Sequence, residues 1–285
     1  MRALVAGADG QLGQALVRLL GDEVAWSGGR SSLDVRDASA VSGLVSSVRP
    51  DVVFNAAAYN KVDAAETERD LAFAVNTSGP ENLARACASS GALLVHVSTD
   101  YVFDGTASRP YREDDTPAPS SAYGASKLVG ESRVLASSAP SLVVRTSGVL
   151  GAGGSRGKGG SFVERILARA RSGEPLRVVN DQVFAPTFAS DLAAGLVALV
   201  SVRARGLVHV TNRGSCSWHE LAVESVRLAG LSVPVEAIST ASLRLPAARP
   251  AYSVLDGSRY ASLGLEPLPP WRESLAALVA SLPSA

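Results

Sequence analysis

The chain has 285 residues, 46% of them hydrophobic, so it holds a sizeable core and lacks the composition of a disordered segment. Its 27 Lys and Arg balance its 27 Asp and Glu, and this zero formal charge speaks against a nucleic-acid binder, which normally presents a net basic face. Cys87 and Cys216 are far apart without metal-ligand spacing, which predicts two buried thiols rather than a disulfide. No signal-peptide pattern opens the chain, and no apolar run approaches the roughly 18 residues a membrane span needs, so a cytoplasmic protein is expected.

Short apolar runs recur at Ala3–Ala6, Val24–Trp26, Val52–Asn55, Leu93–Ser98 and Leu142–Arg145. They are rich in Val and Leu and lack polar alternation, as in strands covered on both faces. Helical patterns lie between them, at Gln11–Leu20, Ala38–Ser47, Pro80–Ser89 and Ala122–Ser137. Strand–helix alternation predicts an α/β fold with a doubly wound parallel sheet and right-handed crossovers. Gly151–Gly160 is then a Gly-rich basic loop holding Arg156 and Lys158. A helix (Ser161–Arg171), a strand (Leu176–Val179), a helix (Ser190–Val200), a strand (Leu207–Val210) and a helix (Trp218–Gly230) follow. A Pro-rich stretch and a last helix near Trp271–Ser281 end the chain. The change of style near residue 150 predicts two units: residues 1–150 binding a dinucleotide, and residues 151–285 forming a smaller substrate-binding lobe partly interleaved with the first.

The dinucleotide reading rests on Gly7-Ala8-Asp9-Gly10-Gln11-Leu12-Gly13, which sits directly between a strand and a helix. Glycines there permit a tight turn and let backbone N–H groups approach a pyrophosphate at the helix N-terminus. After the second strand comes Ser27-Gly28-Gly29-Arg30-Ser31-Ser32, with no acidic residue at the strand end. A guanidinium and hydroxyls suit a 2′-phosphate, so NADPH is expected over NADH, with Asp34 and Val35 facing the adenine. Asn55-Ala56-Ala57-Ala58 ends the third strand in small residues that let the chain pass close to a cofactor.

Tyr123 and Lys127 are spaced i, i+4 and share a helix face. An ammonium beside a phenol favours the phenolate, which predicts a lowered tyrosine pKa and a proton donor usable near neutrality. Thr99 closes the strand before this helix, where its hydroxyl is placed to orient a carbonyl oxygen. The expected division of labour has Thr99 orienting a ketone, Tyr123 protonating the alkoxide, and Lys127 tuning Tyr123 and holding the nicotinamide ribose. His96, His209 and His219 lack metal-ligand spacing, so no catalytic role and no metal site are expected.

Further motifs point to a family. They include Asn55-Ala-Ala-Ala-Tyr59, Val62-Asp63-Ala-Ala-Glu66, Ser98-Thr-Asp-Tyr-Val-Phe-Asp-Gly105 and Tyr123-Gly-Ala-Ser-Lys127. Val144-Arg-Thr-Ser147, Asn180-Asp-Gln182, Ala185-Pro-Thr187 and Arg249-Pro-Ala-Tyr-Ser-Val-Leu255 continue them. Together with the glycine loop they resemble the extended short-chain dehydrogenases, and within those the dTDP-4-dehydrorhamnose reductase family, over nearly the whole chain. The resemblance implies a Rossmann-like sheet and reduction of the C4 ketone of a dTDP-4-keto-6-deoxy sugar to give dTDP-L-rhamnose. It implies cofactor contacts from Gly7, Gly10, Gln11, Leu12, Asp34, Val35, Ala56, Ala57, Ala58 and Thr99, to which Arg30, Tyr59, Tyr123 and Lys127 are added. Tyr101, Phe103 and Arg249 are the expected substrate contacts. Asn76, structural when read alone, stands where the wider family uses an asparagine to shape the site.

The sequence also departs from the family. Arg-Thr-Ser-Trp-Val-Tyr of the relatives reads Arg145-Thr146-Ser147-Gly148-Val149-Leu150, so two aromatics of the sugar pocket are missing. Gly151–Gly160 is longer and more basic, and can be read as a flap over the diphosphate or as a solvated loop. Some relatives bridge a dimer through Mg2+ and a first-helix glutamate; Ala15 occupies that place, which argues against this route and leaves monomer or homodimer open. Two rival activities fit less well. A dehydratase or epimerase of the superfamily is the nearest rival; the dehydratases carry an Asp-Glu pair just after this Thr to run elimination, but here Tyr101 follows Asp100. A non-catalytic NADP-binding regulatory subunit would not require the intact Tyr123–Lys127 pair.

Overall fold

The protein is described by a computed structural model covering residues 1–153 and 160–283. Arg156 and Lys158 therefore lie outside the described residues. Five strands and the helices between them follow the predicted order: β1 (Ala3–Ala6), α1 (Gln11–Leu20), β2 (Val24–Gly28), α2 (Ala38–Val48) and β3 (Val52–Asn55). A short α3 (Arg69–Phe73), α4 (Gly79–Ser90), β4 (Leu93–Thr99), α5 (Ala122–Leu135) and β5 (Ser141–Thr146) come next. The second half holds β6 (Val149–Leu150), α6 (Phe162–Arg171), β7 (Leu176–Val179), β8 (Val183–Phe184), β9 (Thr187–Phe188) and α7 (Ala189–Ser201). It ends with β10 (Gly206–His209), β11 (Cys216–Ser217), α8 (Trp218–Leu228), β12 (Val235–Ile238), α9 (Ser258–Ser262) and α10 (Trp271–Ser281). The expected helix to Gly230 stops at Leu228, where the chain turns through Gly230 at φ +69°.

Six strands form one parallel sheet in the order β2-β1-β3-β4-β5-β10. This is the doubly wound, Rossmann-like arrangement. The strand order reverses between β1 and β3, and the crevice beyond their carboxyl ends, at Ala6 and Asn55, is where such sheets take ligands. Apolar side chains cover both faces. Leu12, Leu16 and Leu20 of α1 join Leu192, Leu196 and Leu199 of α7 on one face. Val41, Leu83, Cys87 and Val134, from α2, α4 and α5, fill the other. Both cysteines are free and buried.

The second half of the chain divides its residues between two places. α7 and β10 complete the large sheet. The remainder builds a smaller unit from α6, α8, α10 and three two-stranded pairings, β6–β9, β7–β12 and β8–β11. Ser161 and Ser217 start α6 and α8 through reciprocal capping boxes with Glu164 and Glu220.

One charged pair locks α5 to the sheet. Arg145 of β5 and Glu131 of α5 form a two-pronged ion pair at 2.7–3.1 Å, with side-chain exposures of 3% and 2%. The guanidinium also lies 5.0 Å from the centre of the Phe103 ring. Removing one partner of such a buried pair strands the other charge. Glu131→Ala is expected to cost about 3–5 kcal/mol of stability by denaturant unfolding; a change within error would mean the pair is relaxed by water.

Candidate active site

Two adjoining clefts run along the carboxyl end of the sheet. The first, about 340 Å³, is lined by Gly7, Gly10, Arg30, Asp34, Val35, Ala56, Ala57, Ala58 and Tyr59 among others. The second, about 380 Å³, takes in Gly10, Gln11, Leu12, Ala56, Ala58, Thr99, Tyr123 and Lys127. All predicted cofactor residues thus face this pair of clefts.

Their walls fit a dinucleotide. Gly7 turns at φ +85°, and a Cβ there would stand 2.5 Å from the Ala57 amide nitrogen. The glycine loop and the small-residue turn after β3 therefore approach as closely as backbones can, leaving the mouth to a ligand. The first-turn amides of α1 lack intrahelical acceptors and suit a pyrophosphate. In the second cleft the buried Gln11 Oε1, Ser98 Oγ and Thr146 Oγ1 have no hydrogen-bond partner among the described residues, as expected of a floor that serves a polar ligand. Asp34 is ion-paired with Arg36, whose hydrogen bonds hold its pKa down at about 2. Arg30 is exposed at the rim of the first cleft.

The reacting groups meet where the second cleft borders a pocket of about 160 Å³. Thr99 and Tyr123 line both cavities. Ser121 caps α5 by accepting from the Gly124 amide at 3.2 Å, which sets the helix rotation that turns Tyr123 and Lys127 toward β4. Lys127 Nζ donates to the Val97 carbonyl at 2.7 Å. Burial brings the Lys127 pKa down to about 8, against the opposing pull of Glu131 one turn later.

The expected lowering of the Tyr123 pKa is not met. Burial pushes the phenol up to about 12; a hydrogen bond with Thr99 pulls the other way, and the nearby Asp100 charge adds to the rise. The i, i+4 spacing put the lysine on the tyrosine's helix face, but one N–H of Nζ goes to a backbone carbonyl and burial dominates at the phenol.

Asn76 is fully buried in a π-helical turn, Ala74–Ser78, between α3 and α4. It accepts from the Tyr59 amide at 2.8 Å and donates to the Tyr59 carbonyl and the Ser126 hydroxyl at 3.0 Å. It therefore fixes the small-residue wall against α5. Tyr59 itself donates through its hydroxyl to Glu68 at 2.9 Å.

The three substrate predictions fare differently. Tyr101 lines the smaller pocket, its ring edge-on to Tyr123 at 5.8 Å. Phe103 does not reach it. The ring is wholly buried and stacked on Tyr111 at 4.2 Å, because the chain after Tyr101 turns back into the core. Arg249 stands behind the wall, donating to Asp63 at 2.8 Å and to the Ala247 carbonyl at 3.0 Å, while its neighbour Pro250 lines the pocket.

A sequence profile described as "RmlD substrate binding domain" matches residues 1–283. A dTDP-4-dehydrorhamnose reductase of Streptomyces griseus is 44% identical, over 99% of this chain and 93% of the relative. One from Mycobacterium tuberculosis is 40% identical, over 98% and 93%. The crystal structure of a Bacillus anthracis dTDP-4-dehydrorhamnose reductase in complex with NADP superposes with a TM-score of 0.94 at 37% identity, covering 99% of both chains. The chain belongs to the dTDP-4-dehydrorhamnose reductase family.

Gly148, where the resemblance led us to expect an aromatic, turns at φ +49°; a Cβ there would fall 2.2 Å from the Phe184 ring. Phe184 stacks on Trp218 at 4.1 Å, and both line the small pocket beside Gln182. The aromatic surface of this pocket thus comes in part from β8 and α8. Sequence reasoning missed Phe184, Trp218 and Ser253; Phe184 lies inside the Asp181-Gln182-x3-Pro-Thr motif, which was the available signal. Gly7→Ala is expected to weaken dinucleotide binding by about 10-fold or more in a fluorescence titration; unchanged affinity would mean the loop yields without cost.

Proposed function

We propose that the chain reduces the C4 ketone of a dTDP-4-keto-6-deoxy sugar, foremost dTDP-4-dehydrorhamnose to dTDP-L-rhamnose, using NADPH in preference to NADH. The observation that carries this reading is that Thr99 and Tyr123 line both the second cleft and the small pocket, with Lys127 beside them in the cleft. The names of the Streptomyces and Mycobacterium relatives support the substrate, and the NADP bound to the Bacillus anthracis relative supports the cofactor.

Gly7, Gly10 and the α1 amides would hold the pyrophosphate, Val35 and Ala56–Ala58 the adenosine half, and Arg30 a 2′-phosphate. When bound, the reduced nicotinamide supplies a hydride. Tyr123, with its pKa near 12, is fully protonated at neutral pH and serves as the acid toward the ketone oxygen. Lys127, near 8, stays mostly charged there and stabilises the phenolate that remains. Tyr101, Phe184 and Trp218 form the apolar wall that receives the sugar ring and excludes water. Elimination chemistry would need a second carboxylate beside Asp100, and Tyr101 occupies that place. The regulatory-subunit reading gains no support from a site in which every reacting group is present.

Tyr123→Phe is expected to lower kcat for NADPH oxidation with dTDP-4-dehydrorhamnose by about 10²–10⁴-fold, with KM little changed. Full activity of that variant, or an inactive wild type, would overturn the reading. Arg30→Ala is expected to raise KM for NADPH by about 10-fold while sparing NADH, as loss of one charge-assisted contact implies; an equal effect on both cofactors would remove Arg30 from the 2′-phosphate site.

A further inference from the structure

His96 stands within the large sheet and takes no part in the reaction as described above. It is wholly buried in β4, directly beside Asn55 at the carboxyl end of β3 in the parallel register. Asn55 is buried too, and its Nδ2 lies 3.0 Å from His96 Nδ1. The other end of the same amide, Oδ1, accepts from the Ala57 backbone N–H at 3.2 Å. Burial and the Lys127 ammonium hold the His96 pKa well below the usual imidazole range, so the ring is neutral.

These contacts settle where the protons are. A backbone N–H only donates, so the Asn55 oxygen must face Ala57 and the NH2 group must face the histidine. His96 Nδ1 therefore accepts, and the ring carries its one proton on Nε2. That Nε2 is buried with no hydrogen-bond partner among the described residues. A strand interior gains nothing from an imidazole with an unpaired N–H, and an apolar side chain would avoid its cost. The Nδ1 acceptor is the one feature an apolar side chain cannot supply.

What the acceptor holds is the wall of the dinucleotide clefts. Ala56 and Ala58 line both clefts, and Ala57 lines the first. A Cβ on Gly7 would stand 2.5 Å from the Ala57 nitrogen and 2.6 Å from the Ala56 carbonyl carbon. The amide that donates to Asn55 is thus the point where the wall presses on the glycine loop. A small displacement of Ala57 shifts the loop on which the pyrophosphate would sit. Asn76 secures the far end of the wall by accepting from the Tyr59 amide at 2.8 Å.

Resting on the dinucleotide reading of the clefts, we propose that His96 is a positioning residue for the cofactor: its Nδ1 lone pair holds the Asn55 amide, and Asn55 holds the Ala57 turn against the glycine loop at the spacing a dinucleotide needs. His96 acts through Asn55 and needs no contact with cofactor or sugar.

Nitrogen NMR of the imidazole in the ligand-free protein tests the hydrogen bond without any substrate. A bare Nδ1 and a protonated Nε2 are expected at neutral pH; a proton on Nδ1, alone or as imidazolium, overturns the proposal. NADPH titration followed by fluorescence, with no sugar present, tests the positioning. His96→Leu removes the acceptor and leaves the Asn55 NH2 unpartnered, but it also removes the unpaired Nε2–H, so unfolding stability is expected to change little. NADPH affinity is expected to fall about 10-fold, the loss that follows from one buried hydrogen bond. His96→Asn places an acceptor oxygen near the position of Nδ1 and is expected to restore affinity to within about 2-fold of the wild type. Asn55→Ala is expected to weaken binding by about the same 10-fold, and the double variant no further, since both act through one contact. In the assay, KM for NADPH is expected to rise more than kcat falls. Unchanged affinity in His96→Leu, no recovery in His96→Asn, or additive losses in the double variant each overturn the proposal. Where His96→Leu does not fold, unchanged affinity in Asn55→Ala overturns it instead. A wild type that binds NADPH but reduces no ketone sinks the functional reading alone.

Discussion

The hydroxyls of Thr99, Ser147 and Ser253 all donate to the Asp100 carboxyl, and they come from the end of β4, the turn after β5 and the segment between β12 and α9. A carboxylate deprived of water needs such donors, and the chain meets the need by drawing three remote segments to one point. That constraint sets the position of the small pocket against the sheet. It also places Thr99 beside Tyr123, since α5 is independently fixed by the Glu131–Arg145 pair. The reacting groups therefore sit in a frame held by buried charge rather than by loops.

Burial then decides how these groups behave. Tyr123 is held protonated, Lys127 is brought down toward neutrality, and His209, pushed down to about 3, stays neutral. His96 is likewise neutral, with Lys127 adding to the effect of burial. An acid that keeps its proton until a stronger base forms nearby suits a reduction, in which the base is the oxygen made by hydride arrival.

Much of this was legible in the sequence. Unbroken Val/Leu runs marked the sheet strands because strands covered on both faces cannot alternate, and Gly7 marked a tight turn, though not that it would meet Ala57. Tyr123 and Lys127 were readable because helical spacing is local. What stayed hidden depends on tertiary contact. Phe103 looked like its neighbour Tyr101, yet the backbone turn after it points one ring to the core and the other to the pocket. Phe184 and Trp218 are brought together by the β8–β11 pairing, whose strands are two residues long and leave no periodicity. The tyrosine pKa was misjudged because spacing reports proximity and says nothing of desolvation. The second unit was expected to be partly interleaved with the first, but the sequence did not mark α7 and β10 as the elements that join the large sheet.

Thr99 and Tyr123, on the border of the clefts, are placed for direct reduction of a sugar ketone. The most direct test of that reaction is to supply nicotinamide dinucleotide deuterated at the transferring position, together with dTDP-4-dehydrorhamnose, and to locate the label in the product by NMR. One deuterium bonded to C4 of a rhamnose product is expected. Product carrying no deuterium at C4, or cofactor bound without any transfer, would contradict it.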